Sequence, residues 1–214
     1  GCLLLRFLVL RIRQPPRSTL LPATTLARAR RDAAALAAFR ADFLRHLRGE
    51  ARDVPLFVDL VATIDACGLE HSLFTDLLDA FAQDCVRGRY DRAALRDYCR
   101  RSTDPIGRLV LRVSGHRDPR LDAWSDRICT SLQLLNHLQD VGEDLRERDR
   151  IYFPVDELAA AGVDEADLRA PAASAALRRF VLAEADRIAD GFGPDGRSSA
   201  RCAAGSGGSC ARSC

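Results

Sequence analysis

The stretch "QLLNHLQDVGEDLRERDRIYFP" (133–154) carries four residues whose types and spacing could hold an ion. On a helix of 100° per residue, Gln133, Asn136, Asp140 and Asp144 fall within roughly 80° of one another, with Cys129 close to the same line. Leu132, Leu134, Leu135, Leu138 and Val141 occupy the opposite arc. Two carboxylates at i,i+4 project from successive turns and suit a hard divalent cation. Magnesium keeps several waters and commonly binds one or two carboxylates together with substrate phosphates. Arg146, Arg148 and Arg150 follow directly, and guanidinium groups match phosphate oxygens. A solvated helix face would show the same division into polar and apolar arcs, and each arginine alone reads as a surface charge. The stripe departs from an ordinary surface in using Gln, Asn and short Asp, which are poor helix formers and lack the i,i+4 pairing of Glu with Arg. Taken together, these residues describe a site for a Mg²⁺-bound diphosphate.

The elements that must position this stripe are helical throughout. The apolar spacing predicts helices over 26–47, 55–67 and 71–86, the last with Phe74, Leu77, Leu78 and Phe81 on its apolar face. A fourth begins after Asp91, a side chain suited to an N-cap, and reaches toward Gly115 with a break or kink at Pro105. The stripe lies on a fifth, over 121–145. An extended stretch, "RIYFPVDELAAAGV", leads to a last helix over 164–189. No alternating strand pattern and no repeat is visible, so the expected fold is all-α.

Composition bounds the remaining possibilities. The chain has 214 residues, 47% of them hydrophobic, which is enough for one domain with a substantial core. All 32 basic residues are arginine and the formal net charge is +2, so no general electrostatic argument for nucleic-acid binding arises. Cys67, Cys85, Cys99 and Cys129 sit singly within helical patterns, as small hydrophobes do, and Cys2, Cys202, Cys210 and Cys214 lie near the ends. No CxxC pair or Cys/His metal spacing occurs, which fits a reducing cytoplasm. The segment 1–31 opens with "GCLLLRFLVLRIRQPPR", too short for a membrane span and without the charge order of a signal peptide. The segment 193–214, rich in Gly, Ser, Arg and Cys, is expected to be disordered. This leaves 32–192 as the helical domain.

At this point the stripe becomes recognisable. "CTSLQLLNHLQDVGEDLRERDRIYFP" resembles the second aspartate-rich motif of the squalene/phytoene synthase family, with Gln133, Asn136, Asp140, Asp144, Arg150, Tyr152 and Pro154 matching its pattern. "DYCRRSTDPIGRLVLRVSG" resembles another helix of that family, where Tyr98 matches a tyrosine of the reaction cavity. Pro105, Gly107 and Arg108 match an S-x-x-P-x-G-R variant closer to bacterial hopanoid-pathway squalene (hydroxysqualene) synthases than to phytoene synthases. "LFTDLLDAFAQDCVRGRYD" resembles the helix before it, and the likeness spans roughly residues 36–192.

The resemblance implies an all-α isoprenoid-synthase bundle that joins two prenyl diphosphates head to head, with farnesyl diphosphate as the expected substrate. It implies Mg²⁺ held by Asp140, Asp144 and Asn136. Tyr98, Asp140 and Asp144 take catalytic roles, and Gln133, Asn136, Arg108, Arg150 and Tyr152 contact substrate. The stripe and Tyr98 are expected to open on one central cavity. A lipid product would bring peripheral membrane contact. Two departures stand out: the first aspartate-rich motif is not found upstream of Gly49, and Asp149 replaces the glycine usual before the motif's arginine. The chain therefore reads as shortened at both ends, with half of the metal site absent and turnover not expected. Phytoene synthase, or a non-catalytic helical module of the same lineage, remains the alternative.

Overall fold

The computed structural model describes residues 33–192. The segments 1–31 and 193–214, and the expected start of the first helix at 26–32, lie outside the described residues. Helices α1 (Ala33–Leu47), α2 (Pro55–Cys67) and α3 (His71–Val86) come first. A two-residue strand β1 (Arg89–Tyr90) leads to α4 (Arg92–Ser102) and α5 (Asp104–Val113). The 30-residue α6 (Pro119–Arg148) carries the polar stripe and runs into strand β2 (Ile151–Pro154). Helices α7 (Val155–Ala160), α8 (Glu165–Arg169) and α9 (Ala175–Gly191) complete the order.

Local chemistry sets most of these boundaries. Helix α2 begins with a proline in its first turn, where the missing N–H costs nothing, and ends at Gly68 in the left-handed conformation. Asp91 caps α4 by accepting from the Ala94 N–H at 2.7 Å, as expected. The expected break near Pro105 is complete: α4 ends at Ser102, and Pro105 lies in the first turn of a separate helix, α5. The expected helix over 164–189 is likewise two helices. Pro171 falls between them, and Ser174 restarts the chain by accepting from the Leu177 N–H at 3.1 Å.

The expected all-α fold is borne out, with one small addition: β1 and β2 pair in parallel, with Arg89 opposite Ile151. Strands of two and four residues are too short to show alternation, and all four residues of β2 are buried. Only this part of the predicted extended stretch is extended; Val155–Ala160 forms a helix.

Three apolar clusters fill the interior. The first joins α1, α2, α3 and α5 through Leu36, Phe43, Phe57, Ile64, Leu77 and Leu109. The second packs β2 and α9 against the end of α6 through Leu145, Ile151, Phe153, Leu158 and Phe180. Between them lies a third, smaller cluster of Ala80, Tyr90, Leu95, Tyr98, Cys99 and Tyr152. Helix α5 lies close against α6 because Gly107 has no side chain: a Cβ there would stand 2.1 Å from Ser125 Oγ and 2.7 Å from Cys129 Sγ. No helix among the described residues is long and apolar enough to cross a membrane.

Buried and half-buried arginines tie the helices together with charge. Arg112 donates to Glu70 at 2.7 Å and, through two nitrogens, to Asp122 at 2.7 Å each. Arg92 donates to both Glu157 (2.8 and 2.7 Å) and Glu184 (2.9 and 2.6 Å), joining α4 to α7 and α9. The Arg92 hydrogen bond is the main reason the Glu157 carboxyl is lowered from 4.5 to about 2. The unfolded chain takes up that proton first, so the Glu157 contribution is full above about 4.5 and is lost as pH falls toward 2. Glu157→Gln should therefore destabilise the chain at neutral pH and lose most of that deficit at acid pH in urea unfolding. An equal deficit at both would show that the charge of Glu157 is not what holds α4 to α7.

Candidate active site

The polar stripe divides when α6 is placed among its neighbours. Asp144 is buried, 5% exposed, and its carboxylate accepts from Arg148 one turn on. Burial pushes the Asp144 carboxyl above the usual range; Arg148 works against that rise, and Asp140 adds to it. Asp140 is exposed and makes no hydrogen bond or ion pair among the described residues. Gln133 and Asn136 are half-buried between these extremes. The apolar arc divides too: Leu134 packs on the tyrosine cluster and Leu138 and Val141 on the β2 cluster, whereas Leu132 is exposed.

All three tyrosines of the chain converge beside this stripe. Asp84, near the end of α3, gathers two of them: Tyr98 Oη donates to Asp84 Oδ2 at 3.0 Å and Tyr152 Oη to Asp84 Oδ1 at 3.1 Å. Arg150 donates to the Tyr152 hydroxyl at 3.3 Å and to the backbone carbonyl of Asp84. Tyr90 stacks on Tyr152 with centroids 5.3 Å apart, and Tyr98 lies 5.5 Å from both rings. Burial first, then the Asp84 charge, pushes the Tyr98 and Tyr152 phenols upward, so both hydroxyls keep their protons and act as donors.

His137 connects this cluster to the stripe. Its ring stacks on Tyr152 at 3.9 Å and 11°, and Gln133 Nε2 stands 3.0 Å from its Nε2. Burial drives the His137 imidazole down to about 3, so the ring is neutral. In this arrangement the Gln133 amide donates to Nε2, and the ring proton sits on Nδ1.

Tyr98, Tyr152, Arg150 and, through His137, Gln133 are thus brought together. Asn136, Asp140 and Asp144 follow along the same helix. Arg108 is placed elsewhere: it is engaged with Asp126 at 2.9 and 2.5 Å on the α5–α6 seam. Asp122 and Asp126 share the i,i+4 spacing of Asp140 and Asp144, but Arg112 and Arg108 occupy them. A cavity of about 510 Å³ lies between Asp84, Arg87, Arg89, Arg148 and Arg150. Another, of about 310 Å³, lies under α4 and α9 beside Leu95, Cys99 and Thr130. Neither is lined by Tyr98 or the stripe. Tyr98 is instead sealed within the aromatic cluster while Asp140 faces outward.

Among the described residues no three His, Cys, Asp or Glu side chains form a metal-holding group. Asp140, Asp144 and Asn136 offer two carboxylates and a carbamoyl oxygen on successive turns. That set suits Mg²⁺ shared with phosphate and water rather than a closed protein cage.

Sequence reasoning missed Asp84 and His137. Asp84 falls at i+7 from Leu77 and i+4 from Ala80, which places a carboxylate on the buried face of α3. His137 lies between the polar and apolar arcs of α6. A carboxylate at helical spacing from core residues was the available signal.

The sequence profile of the Squalene/phytoene synthase family matches residues 21–193. A hydroxysqualene synthase of Zymomonas mobilis subsp. mobilis is 42% identical over 145 residues, covering 65% of this chain and 48% of that protein. One from Rhodopseudomonas palustris is 39% identical over 152 residues, covering 71% and 51%. The crystal structure of squalene synthase HpnC from Alicyclobacillus acidocaldarius superposes with a TM-score of 0.64 at 38% identity, covering 74% of this chain and 61% of that one. The chain spans about half the length of the curated relatives it matches.

The state of His137 is directly observable. A ring whose pKa lies near 3 should keep its neutral NMR shifts across the range around pH 6.5 where an exposed imidazole titrates. Because the unfolded chain takes the proton first, His137 should also cost stability as pH falls below about 6.5. A His137 titration midpoint near 6.5 in the folded chain would remove it from the aromatic stack.

Proposed function

Because the chain belongs to the squalene/phytoene synthase family, we propose that the protein in its complete form condenses two prenyl diphosphates head to head, farnesyl diphosphate giving a squalene-type product with Mg²⁺. The hydroxysqualene synthases among its relatives support that product class over phytoene. One observation carries the reading: Asn136, Asp140 and Asp144 lie in register on one helix, and β2, which follows it, brings Arg150 and Tyr152 to Tyr98.

Asp140 and Asp144, with Asn136, would hold the ion, and Arg148 and Arg150 flank them with guanidinium groups suited to diphosphate oxygens. When bound, Mg²⁺ offsets the charge that gathers on the departing diphosphate. The chain's own residues supply the rest. Asp140, exposed and unengaged by arginine among the described residues, would offer an open carboxylate to the ion. Asp144, now paired with Arg148, would hold the ion in place of that contact. Leu134, half-buried and backed by the sealed tyrosine cluster, would present apolar surface that keeps water from an allylic cation. Arg150, braced on Tyr152, holds its charge at the edge of the cluster. A lipid product would leave by contact with a membrane surface.

The test uses a form with an upstream aspartate-rich motif restored, labelled farnesyl diphosphate and Mg²⁺, with Mg²⁺-dependent pyrophosphate binding as a second readout. Asp140→Asn should keep full helicity, lower condensation by about 10²–10³-fold and weaken pyrophosphate binding. Condensation and binding at the unsubstituted level would take Asp140 out of the site.

A further inference from the structure

Asp84 has a place in the cluster that the proposed chemistry does not use. It is the one carboxylate to which two tyrosyl hydroxyls donate, at 3.0 and 3.1 Å, through separate oxygens. Its backbone carbonyl also accepts from Arg150, so side chain and main chain of one residue hold three groups from α4 and β2. Arg150 in turn donates to the Tyr152 hydroxyl. The Tyr152 ring then lies flat on His137, 3.9 Å away, and His137 fixes the amide of Gln133. A chain of contacts thus runs from α3 through β2 to the polar face of α6.

We propose that Asp84 is a positioning residue of this site: its carboxylate sets Tyr98 and Tyr152, and through Tyr152 it fixes Arg150 on one side and the His137–Gln133 pair on the other. Two consequences follow from the geometry. Arg150 is aimed by two acceptors, a phenol oxygen and a main-chain carbonyl, so a freely rotating guanidinium becomes a fixed one. Gln133 has its Nε2 committed inward to His137, which leaves its amide oxygen free of that bond to coordinate a cation or accept from its water. Asp84 itself need touch neither substrate nor ion. A carboxylate suits the role because it accepts two hydrogen bonds at once without offering a proton that would compete.

The effect on diphosphate rests on the function proposed above, but the positioning can be read apart from it. All three tyrosines of the chain belong to this cluster, so tyrosinate absorbance reports on it alone. In the unsubstituted chain the phenols should resist ionisation well beyond the ordinary range near 10. Asp84→Asn removes the negative charge and one acceptor, and should lower the tyrosinate midpoint by about one pH unit or more at unchanged helicity. The same variant should bind Mg²⁺–pyrophosphate about tenfold more weakly.

An unchanged tyrosinate curve would overturn the hub. A shifted curve with undiminished pyrophosphate binding would overturn the positioning role and leave the proposed function standing. Absence of pyrophosphate binding in the unsubstituted chain would remove that function, and the positioning role with it. If Asp84→Asn does not fold, Tyr152→Phe carries the test. It keeps the ring on His137 but deletes the hydroxyl between Asp84 and Arg150, and the same tenfold weakening is expected.

Discussion

The organisation of this chain depends on how closely two helices approach α6. On one side Gly107 of α5 lies against Ser125 and Cys129, and on the other Gly191 of α9 lies so near Ser131 that a Cβ would stand 2.3 Å from its Oγ. Each approach needs a residue without a side chain, and neither neighbour has room to retreat into a close-packed interior. Held on two sides, α6 cannot rotate about its axis. Its remaining faces are thereby assigned: one to the tyrosine cluster, one to the β2 cluster, and one to solvent. The polar stripe runs along the border of these faces, half-buried at Gln133 and Asn136, exposed at Asp140 and buried at Asp144.

Charge is divided in a way that separates scaffold from site. Asp122 and Asp126 are each matched to a buried or half-buried arginine across the α5–α6 seam, and Glu157 and Glu184 share Arg92. These pairs link different helices and are enclosed enough that losing one partner would strand the other. The Asp140/Asp144 pair differs. Among the described residues its ion pair is with Arg148, on the same helix one turn away, and Asp140 makes none. A carboxylate neutralised by its own helix joins nothing to anything, so Asp144 contributes little to tertiary structure and remains exchangeable. The same spacing thus serves cohesion at the start of α6 and availability at its end.

Much of this was legible in the sequence, for physical reasons that differ by element. Helices α2 and α3 were readable to the residue because Gly68, Pro55 and the Leu77/Leu78 spacing act locally. The stripe was readable because helical periodicity fixes angular position whatever the neighbours do. What escaped was set by tertiary contact. β1 and β2 exist only as partners of each other, the helix expected over 164–189 is interrupted where Pro171 precedes a serine cap, and Arg108 is claimed by Asp126 eighteen residues on. Asp84 escaped for a related cause: its importance lies in residues 14 and 68 positions away, a distance no local pattern spans.

Asp149, where α6 turns into β2, illustrates how narrow a single position can become. Among the described residues it is the one non-glycine with positive φ, at 51°, a region that bulky or β-branched side chains avoid. Its backbone thus asks for glycine, while its carboxylate receives Arg89 at 2.9 Å and draws Arg169 to 3.6 Å. Glycine would relax the turn and release both arginines; asparagine would keep the turn and lose the charge. The residue tolerated here is the one that compromises between conformational and electrostatic demands. A substitution at this position trades the sharpness of the turn against the grip on β1 and α8.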